Sequence, residues 1–257
     1  MIVNVSGVCT LNNVRADFSL SSGKIHVIIG SNGSGKTTLL KSVVGLLPLR
    51  KGKITINEHD FGQLGRRELS RCFAFVPQFF NVSLPLPVSE VVSMGEVNSV
   101  NPFSFTRDNE EKTKRILEEC GISHLADRMI NQLSGGELAL VSLARALMQD
   151  SDFIMLDEVD AGLDLKRKDD YYGLILKTVS QKGKGVAVIT HSPDFIFMLR
   201  DDDVVLAVTP EGTVERKYVK DVTEAFLSYV YGVPLSFIKS EAGTALAVNR
   251  QRRDCCC

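Results

Sequence analysis

Gly30-Ser31-Asn32-Gly33-Ser34-Gly35-Lys36-Thr37 is the stretch on which the fold turns. It fits the pattern GxxxxGK[ST]. Before it stands Ile25-His26-Val27-Ile28-Ile29, a β-branched run with the profile of a buried parallel strand. After it comes the apolar stretch Leu39-Leu40-Lys41-Ser42-Val43-Val44, closed by Gly45 and Pro48 as a helix is. Each residue type has a physical task. Glycines let successive backbone N–H groups curl around an anion, and the helix that follows offers its positive end to the same place. Lys36 can reach the β- and γ-phosphates of a nucleotide, and the Thr37 hydroxyl can ligate Mg²⁺. A nucleotide-binding α/β domain is therefore expected.

Outward from this loop, further apolar runs mark strands. Alternation in Ile2-Val3-Asn4-Val5 and Phe18-Ser19-Leu20 reads as short strands ending at Ser22-Gly23-Lys24, and Lys53-Ile54-Thr55-Ile56 reads as another. From Ser89 to Gln132 the pattern is helical and polar, including Asp108 to Gly121 with apolar Ile116 and Leu117. Strands return at Phe153-Ile154-Met155-Leu156, Val186-Ala187-Val188-Ile189 and Val204-Val205-Leu206-Ala207-Val208. Strand–helix alternation at both ends predicts an α/β parallel sheet with a mostly helical insert.

The strand from Phe153 delivers Asp157 and Glu158 at its C-terminal end, where open α/β sheets bind their ligands. There Asp157 would hold Mg²⁺ through water, and Glu158 would polarise an attacking water as general base. Alone, the pair reads equally as acids capping the next helix; the phosphate loop upstream tips the balance.

Composition narrows the class. With 44% hydrophobic and 24% charged residues in 257, the chain is neither disordered nor fibrous. Thirty Lys+Arg against 31 Asp+Glu give a net charge of -1, so no global field draws it to nucleic acid or anionic lipid. No apolar run approaches the roughly 18 residues of a membrane span, and no secretory leader opens the chain, so a cytosolic address is expected. Cys9, Cys72 and Cys120 stand singly and read as small buried hydrophobes. Cys255-Cys256-Cys257 follow the basic Arg250-Gln251-Arg252-Arg253 and read as a frayed tail; a prenylation box would need cysteine where Asp254 stands.

Between the two motifs lies Leu133-Ser134-Gly135-Gly136-Glu137, and with it the chain resembles the ATP-binding subunit of an ABC transporter over roughly residues 1–210. The order matches: phosphate loop, Gln78 after Val76-Pro77, the LSGGE signature, Asp157-Glu158, Ala161-Gly162-Leu163-Asp164, then His191. The resemblance implies an α/β P-loop NTPase of ABC type, with a mainly parallel sheet core, an antiparallel β subdomain and a helical insert. It divides the chain into a nucleotide-binding core (1–77), a helical subdomain (78–132), the resumed core (133–232) and a C-terminal extension with the basic tail (233–257). It implies ATP hydrolysis with Mg²⁺. Gly30, Ser31, Asn32, Gly33, Ser34, Gly35, Lys36, Thr37 and Thr38 would hold phosphate, and Thr37, Gln78 and Asp157 the metal. Glu158, His191 and Gln78 would be catalytic. Ser134, Gly135, Gly136 and Asp164 would meet ATP held on a second copy; Ser134 suits this because it can N-cap a helix whose dipole faces the phosphate. The implied partners are that second copy, an integral membrane permease and, indirectly, an external substrate-binding protein, with no nucleic acid. The implied place is cytoplasmic, peripheral on the inner face of the cell membrane.

Four stretches narrow the branch: Arg66-Arg67-Glu68-Leu69-Ser70-Arg71 before Ala74-Phe75-Val76-Pro77-Gln78, Leu86-Pro87-Val88-Ser89-Glu90-Val91-Val92-Ser93-Met94-Gly95, Gly121 to Arg128, and Tyr231-Gly232-Val233-Pro234. They are similar to ATPases serving importers of iron-siderophore, haem and cobalamin, and zinc and manganese importers share some of them. Departures point elsewhere. Val159-Asp160 replaces the usual Pro-Thr or Pro-Ser, and Glu158 to Asp164 is similar to the ATPase of the iron–sulfur cluster assembly complex, so a soluble assembly ATPase is the alternative. Ala139-Leu140 stands where the family has Gln-Arg, predicting deeper packing of that helix or an added contact surface. No adenine-stacking aromatic is identifiable around Val8-Cys9-Thr10-Leu11, which leaves ATP against GTP open. Phe79-Phe80-Asn81-Val82-Ser83-Leu84-Pro85 reads equally as a groove for the membrane partner or as core.

Overall fold

The alternating N-terminal segments pair with each other. In the computed structural model, which describes residues 1–78, 80, 85–96, 107–241 and 243–249, β1 (Ile2–Cys9) pairs antiparallel with β2 (Arg15–Ser21). β3 (Ile25–Ile29), apolar but for His26, is buried on both faces and leads into α1 (Lys36–Val43). β4 (Lys51–Ile56) returns beside β1, and β5 (His59–Asp60) closes a four-stranded antiparallel sheet in the order β2-β1-β4-β5. After α2 (Arg66–Cys72), β6 (Phe73–Val76) leaves this layer.

The polar middle of the chain makes α3 (Val88–Ser93) and α4 (Arg107–Glu119), which pack with each other and with α5 (Gly135–Met148). Then β7 (Phe153–Asp157), α6 (Leu165–Lys182), β8 (Gly185–Ile189), a 3-10 segment over Pro193–Met198, β9 (Val204–Val208) and β10 (Val214–Tyr218) complete the main sheet. Its order is β10-β9-β3-β8-β7-β6, parallel throughout except for β10 at the edge. α7 (Glu224–Tyr231) and the hairpin of β11 (Leu235–Ser240) with β12 (Gly243–Val248) follow. That hairpin packs against the 3-10 segment: Leu246 N–H donates to Asp194 Oδ1 at 2.7 Å, and the Phe237 and Phe197 rings meet edge to face at 5.1 Å. No helix among the described residues is long and apolar enough to cross a membrane.

Side chains alternate along each parallel strand, so the sheet feeds two cores. Ile25, Val27, Ile154, Leu156, Val186 and Val188 face α5, α6 and the helices of the insert. Ile28, Phe153, Met155, Ala187, Ile189 and Leu206 face α1 and the antiparallel sheet. The apolar character of Ala139-Leu140 resolves as packing: Ala139 is buried in the first core and Leu140 lies partly buried against it. Phe80 also packs there, under the Arg145 guanidinium; Phe79 and residues 81–84 lie outside the described residues, as do residues 250–257 with their arginines and cysteines.

The cysteines require a correction. Among the described cysteines only Cys120 is buried, its thiol pushed up to about 12 by desolvation. Cys9 and Cys72, the last residues of β1 and α2, are half-buried.

Phe153 anchors the second core, fully buried with the Phe73 and His26 rings each at 6.2 Å. Phe153→Ala is expected to cost about 3–5 kcal/mol, by the lost transfer energy and the cavity left behind. Denaturant unfolding monitored by circular dichroism measures it; a loss under about 1 kcal/mol would contradict this packing.

Candidate nucleotide site

The turn after β3 is built for close approach. Gly30 has φ 148°, and a Cβ there would lie 2.8 Å from the Val208 carbonyl oxygen. Gly35, at φ 96°, begins α1, and a Cβ there would meet Val14 Cγ2 at 2.6 Å. Only glycine satisfies both the dihedral and the space. No side chain caps this helix end, so its amides and positive dipole are left for a ligand. The Ser34 hydroxyl is buried without a partner. Lys36 is buried too, and its Nζ donates to the Gly30 and Ser31 carbonyls, each at 3.0 Å. Burial holds that ammonium below the usual lysine range, while Glu158 and Asp157 favour its charge. Thr38 accepts a hydrogen bond from Asn12 Nδ2 at 3.0 Å, which ties the β1–β2 turn to α1; that turn carries exposed Leu11.

Beside the loop, the Thr37 hydroxyl donates to Asp157 Oδ1 at 2.7 Å, with Lys41 Nζ 4.0 Å from the other oxygen. Burial pushes the Asp157 carboxyl above the ordinary aspartate value, against the Thr37 hydrogen bond and the Lys41 charge. An orphaned hydroxyl, an ammonium resting on carbonyls, and a buried carboxylate beside a threonine hydroxyl fit the phosphates of a nucleotide with Mg²⁺.

Three neighbouring strands then converge. Gln78 follows β6 by two residues, Glu158 follows β7 by one and His191 follows β8 by two. Gln78 Nε2 donates to Glu158 Oε2 at 3.0 Å, and His191 Nε2 lies 2.8 Å from the same oxygen. Glu158 has φ 52°, a left-handed conformation unusual for a side-chain-bearing residue; its N–H is held by the Ile189 carbonyl at 3.0 Å. The structure thus brings Glu158, Gln78 and His191 together at the carboxyl edge of the sheet.

The signature residues form a separate group, bonded to neither the phosphate loop nor Glu158. Ser134 N-caps α5 in a capping box: Glu137 N–H bonds Ser134 Oγ, and Glu137 Oε2 accepts from the Ser134 N–H at 2.8 Å and hydroxyl at 2.6 Å. Asp164 caps α6 by accepting from the Arg167 N–H at 2.9 Å. The Arg167 guanidinium bonds Ser134 Oγ and lies over Gly136, where an added Cβ would meet its Cδ at 2.4 Å. Arg167 thus joins Ser134 to Asp164; its only signal in the sequence is a basic residue three positions after an N-cap, too common to single out. Between Gln78 and the start of α5 lies a hollow of about 460 Å³ lined by Pro77, Gln78, Phe80, Gly135, Leu138 and Val159. Among the described residues no group of three His, Cys, Asp or Glu is placed to hold a metal ion by itself.

Known proteins match this architecture. The family described as ABC transporter matches residues 12–161. The zinc transport system ATP-binding protein TroB of Treponema pallidum is 35% identical, covering 86% of this chain and 81% of its own length. A probable iron chelatin transport ATP-binding protein of Helicobacter pylori (strain 26695) is 32% identical over 87% of this chain and 88% of its own. Among solved structures, an inward-facing metal-chelate type ABC transporter aligns with TM-score 0.82 over 97% of this chain and 98% of that one at 23% identity, a likeness of fold. An ATP-binding cassette of an ABC transporter in its ADP conformation is 26% identical, with TM-score 0.72 over 86% of this chain and 94% of its own.

The raised pKa of Asp157 has a sign consequence. A carboxyl with a higher pKa folded than unfolded lends stability only below its unfolded value and loses it as pH rises through the folded one, so at neutral pH ionised Asp157 burdens the nucleotide-free fold. Asp157→Asn is expected to melt at or above the wild-type temperature without nucleotide. It should bind ATP about tenfold more weakly with Mg²⁺, which lowers the ligand stabilisation by about 1.4 kcal/mol. Thermal melts with and without ATP-Mg²⁺ measure both; an undiminished ATP-Mg²⁺ shift would contradict the metal role.

Proposed function

The chain belongs to the ABC transporter family, as an ATPase coupled to transport, and from that premise we propose that it is the motor subunit of an importer for a metal chelate, such as an iron-siderophore, haem or cobalamin, or for a bare metal ion. The observation that carries the hydrolytic part is the convergence of Gln78 and His191 on one oxygen of Glu158, beside the phosphate loop. The cargo class rests on relatives named for zinc, iron chelatin and hemin transport. Those names speak of transport, so the assembly ATPase is not favoured despite its similar Glu158–Asp164 loop.

Two copies would close head to tail around two ATP molecules. In each site the loop amides, Ser34 and Lys36 grip the phosphates, with Lys36 leaving the Gly30 and Ser31 carbonyls to do so. Thr37, Asp157 and Gln78 would hold Mg²⁺, which supplies charge neutralisation at the β- and γ-phosphates when bound. The γ-phosphate would be covered by the Ser134–Gly136 turn of the other copy, whose Gly135 and Gly136 amides and helix dipole would face it, while Asp164 crosses the interface. Glu158 accepts the proton of the attacking water, which Gln78 helps to place, and His191 contacts the γ-phosphate. The hollow beside Gln78 and Phe80 would receive a helix of an integral membrane permease. Closure of the nucleotide sites then reaches the membrane through the same glutamine that touches Glu158. The chain would act in the cytoplasm, peripheral on the inner face of the membrane, with an external binding protein engaging only the permease.

Removing the base while keeping its shape tests this. Glu158→Gln is expected to lower ATP turnover by about 10²–10⁴-fold and to accumulate as an ATP-bound dimer, whereas wild type cycles back to monomer. Light scattering after size exclusion in saturating ATP-Mg²⁺ reads the dimer; a monomeric variant would sink the composite-site reading.

A further inference from the structure

Asp160 stands where the resemblance leads one to expect a small hydroxyl residue, and nothing in the hydrolytic scheme above uses it. It is 1% exposed. Its Oδ2 accepts from Tyr172 OH at 2.7 Å and from Thr190 Oγ1 at 2.6 Å, and these two hydroxyls lie 3.1 Å apart, closing a triangle. Its Oδ1 is buried without a partner, so the whole hold runs through one oxygen. Tyr172 comes from α6 and is fixed by stacking on Phe195, ring centroids 4.0 Å apart at 19°. Thr190 immediately precedes His191, and its Oγ1 also accepts the Ser192 N–H at 2.8 Å. Ser192 Oγ in turn takes a hydrogen bond from Lys168 Nζ at 2.8 Å, which brings the nearest bonded cation to the network.

The Thr190 hydroxyl therefore binds the backbone on the far side of His191, at Ser192, and is itself held by a carboxylate that lies two residues after Glu158. We propose that Asp160 is a positioning residue for hydrolysis: it fixes the distance between His191 and Glu158 by clamping the turn after β7 to the turn after β8. Hydrogen bonds to an ionised acceptor are about twice as strong as neutral ones, and burial strengthens them further. A hydroxyl in place of Asp160 would offer one proton and a weaker acceptor to two donors. The carboxylate offers two donors a common anchor, and this suits a turn whose first residue, Glu158, is held at positive φ. Asp160 itself touches neither phosphate loop nor Glu158 side chain; it acts through Thr190.

This rests on the reading of Glu158 and His191 as catalytic, and the test separates the two. Asp160→Asn and Thr190→Val are expected each to lower kcat about tenfold or more, since misplacement near 1 Å carries such losses, with KM for ATP within about threefold of wild type. The double variant should be no slower than the worse single one, because both cut the same link. Tyr172→Phe, which leaves Thr190 bound, should lose less. A second readout needs no turnover: the ¹⁵N resonance of His191 Nε2 in the nucleotide-free protein, assigned among the four histidines by its loss in His191→Ala, should move in Asp160→Asn toward that of an exposed, unbonded histidine. Should Asp160→Asn fail to fold, Thr190→Val carries both readouts. Additive losses in kcat, or an unmoved His191 resonance, would overturn the positioning role. If instead Glu158→Gln keeps wild-type turnover, the catalytic reading fails, and the resonance alone decides whether Asp160 holds His191.

Discussion

The hydrogen bond from Thr37 to Asp157 joins residues 120 positions apart, and the site depends on it. It fastens the first turn of α1 to the end of β7, so that the anion-binding loop and the two carboxylates share one frame. With that bond made, β6 and β8 on either side of β7 need only end at the same level for Gln78 and His191 to reach Glu158. The chemistry is assembled by strand registry rather than by loops reaching inward.

The site is kept at a cost to the resting protein. Lys36 and Asp157 are both desolvated, each shifted toward its uncharged form, and Glu158 sits in a backbone region that disfavours side chains. These terms would favour a bound ligand over an empty site, because phosphate and Mg²⁺ would supply the counter-charges that protein groups only partly provide. Apart from this site, Arg167 occupies the Ser134 hydroxyl from within the same chain.

What the sequence made legible was what short-range chemistry decides. The phosphate loop, the apolar strands that enter both cores, and Ser134 as an N-cap all follow from residues within a few positions of one another. The acids at 157 and 158 were legible because a strand end carries them to a known edge of the fold. Asp160, Tyr172 and Thr190 were not, since their meeting requires α6 to pack on β8, and no local pattern announces which polar residue of a helix faces inward. Cys9 and Cys72 were misjudged for a related reason: how fully a side chain is covered depends on segments distant in sequence that pack over it. Packing also chose between the two readings of Ala139-Leu140, since only contact with the main core distinguishes a buried stripe from a docking surface.

The strand order has a temporal side. β3, made early, is completed on one edge by β8 and on the other by β9, with Ile25 against Val186 and His26 against Val204. The centre of the sheet therefore waits for late-made partners, and the nascent chain must carry β3 unpaired until Val186 and the rest of β8 have emerged. Folding of such non-local parallel pairings is slow and leaves edges open to other chains. β8 and β9 both lie in the C-terminal third of the chain, so the turn at Gly30 gains its close contact with Val208 only once β9 is in place.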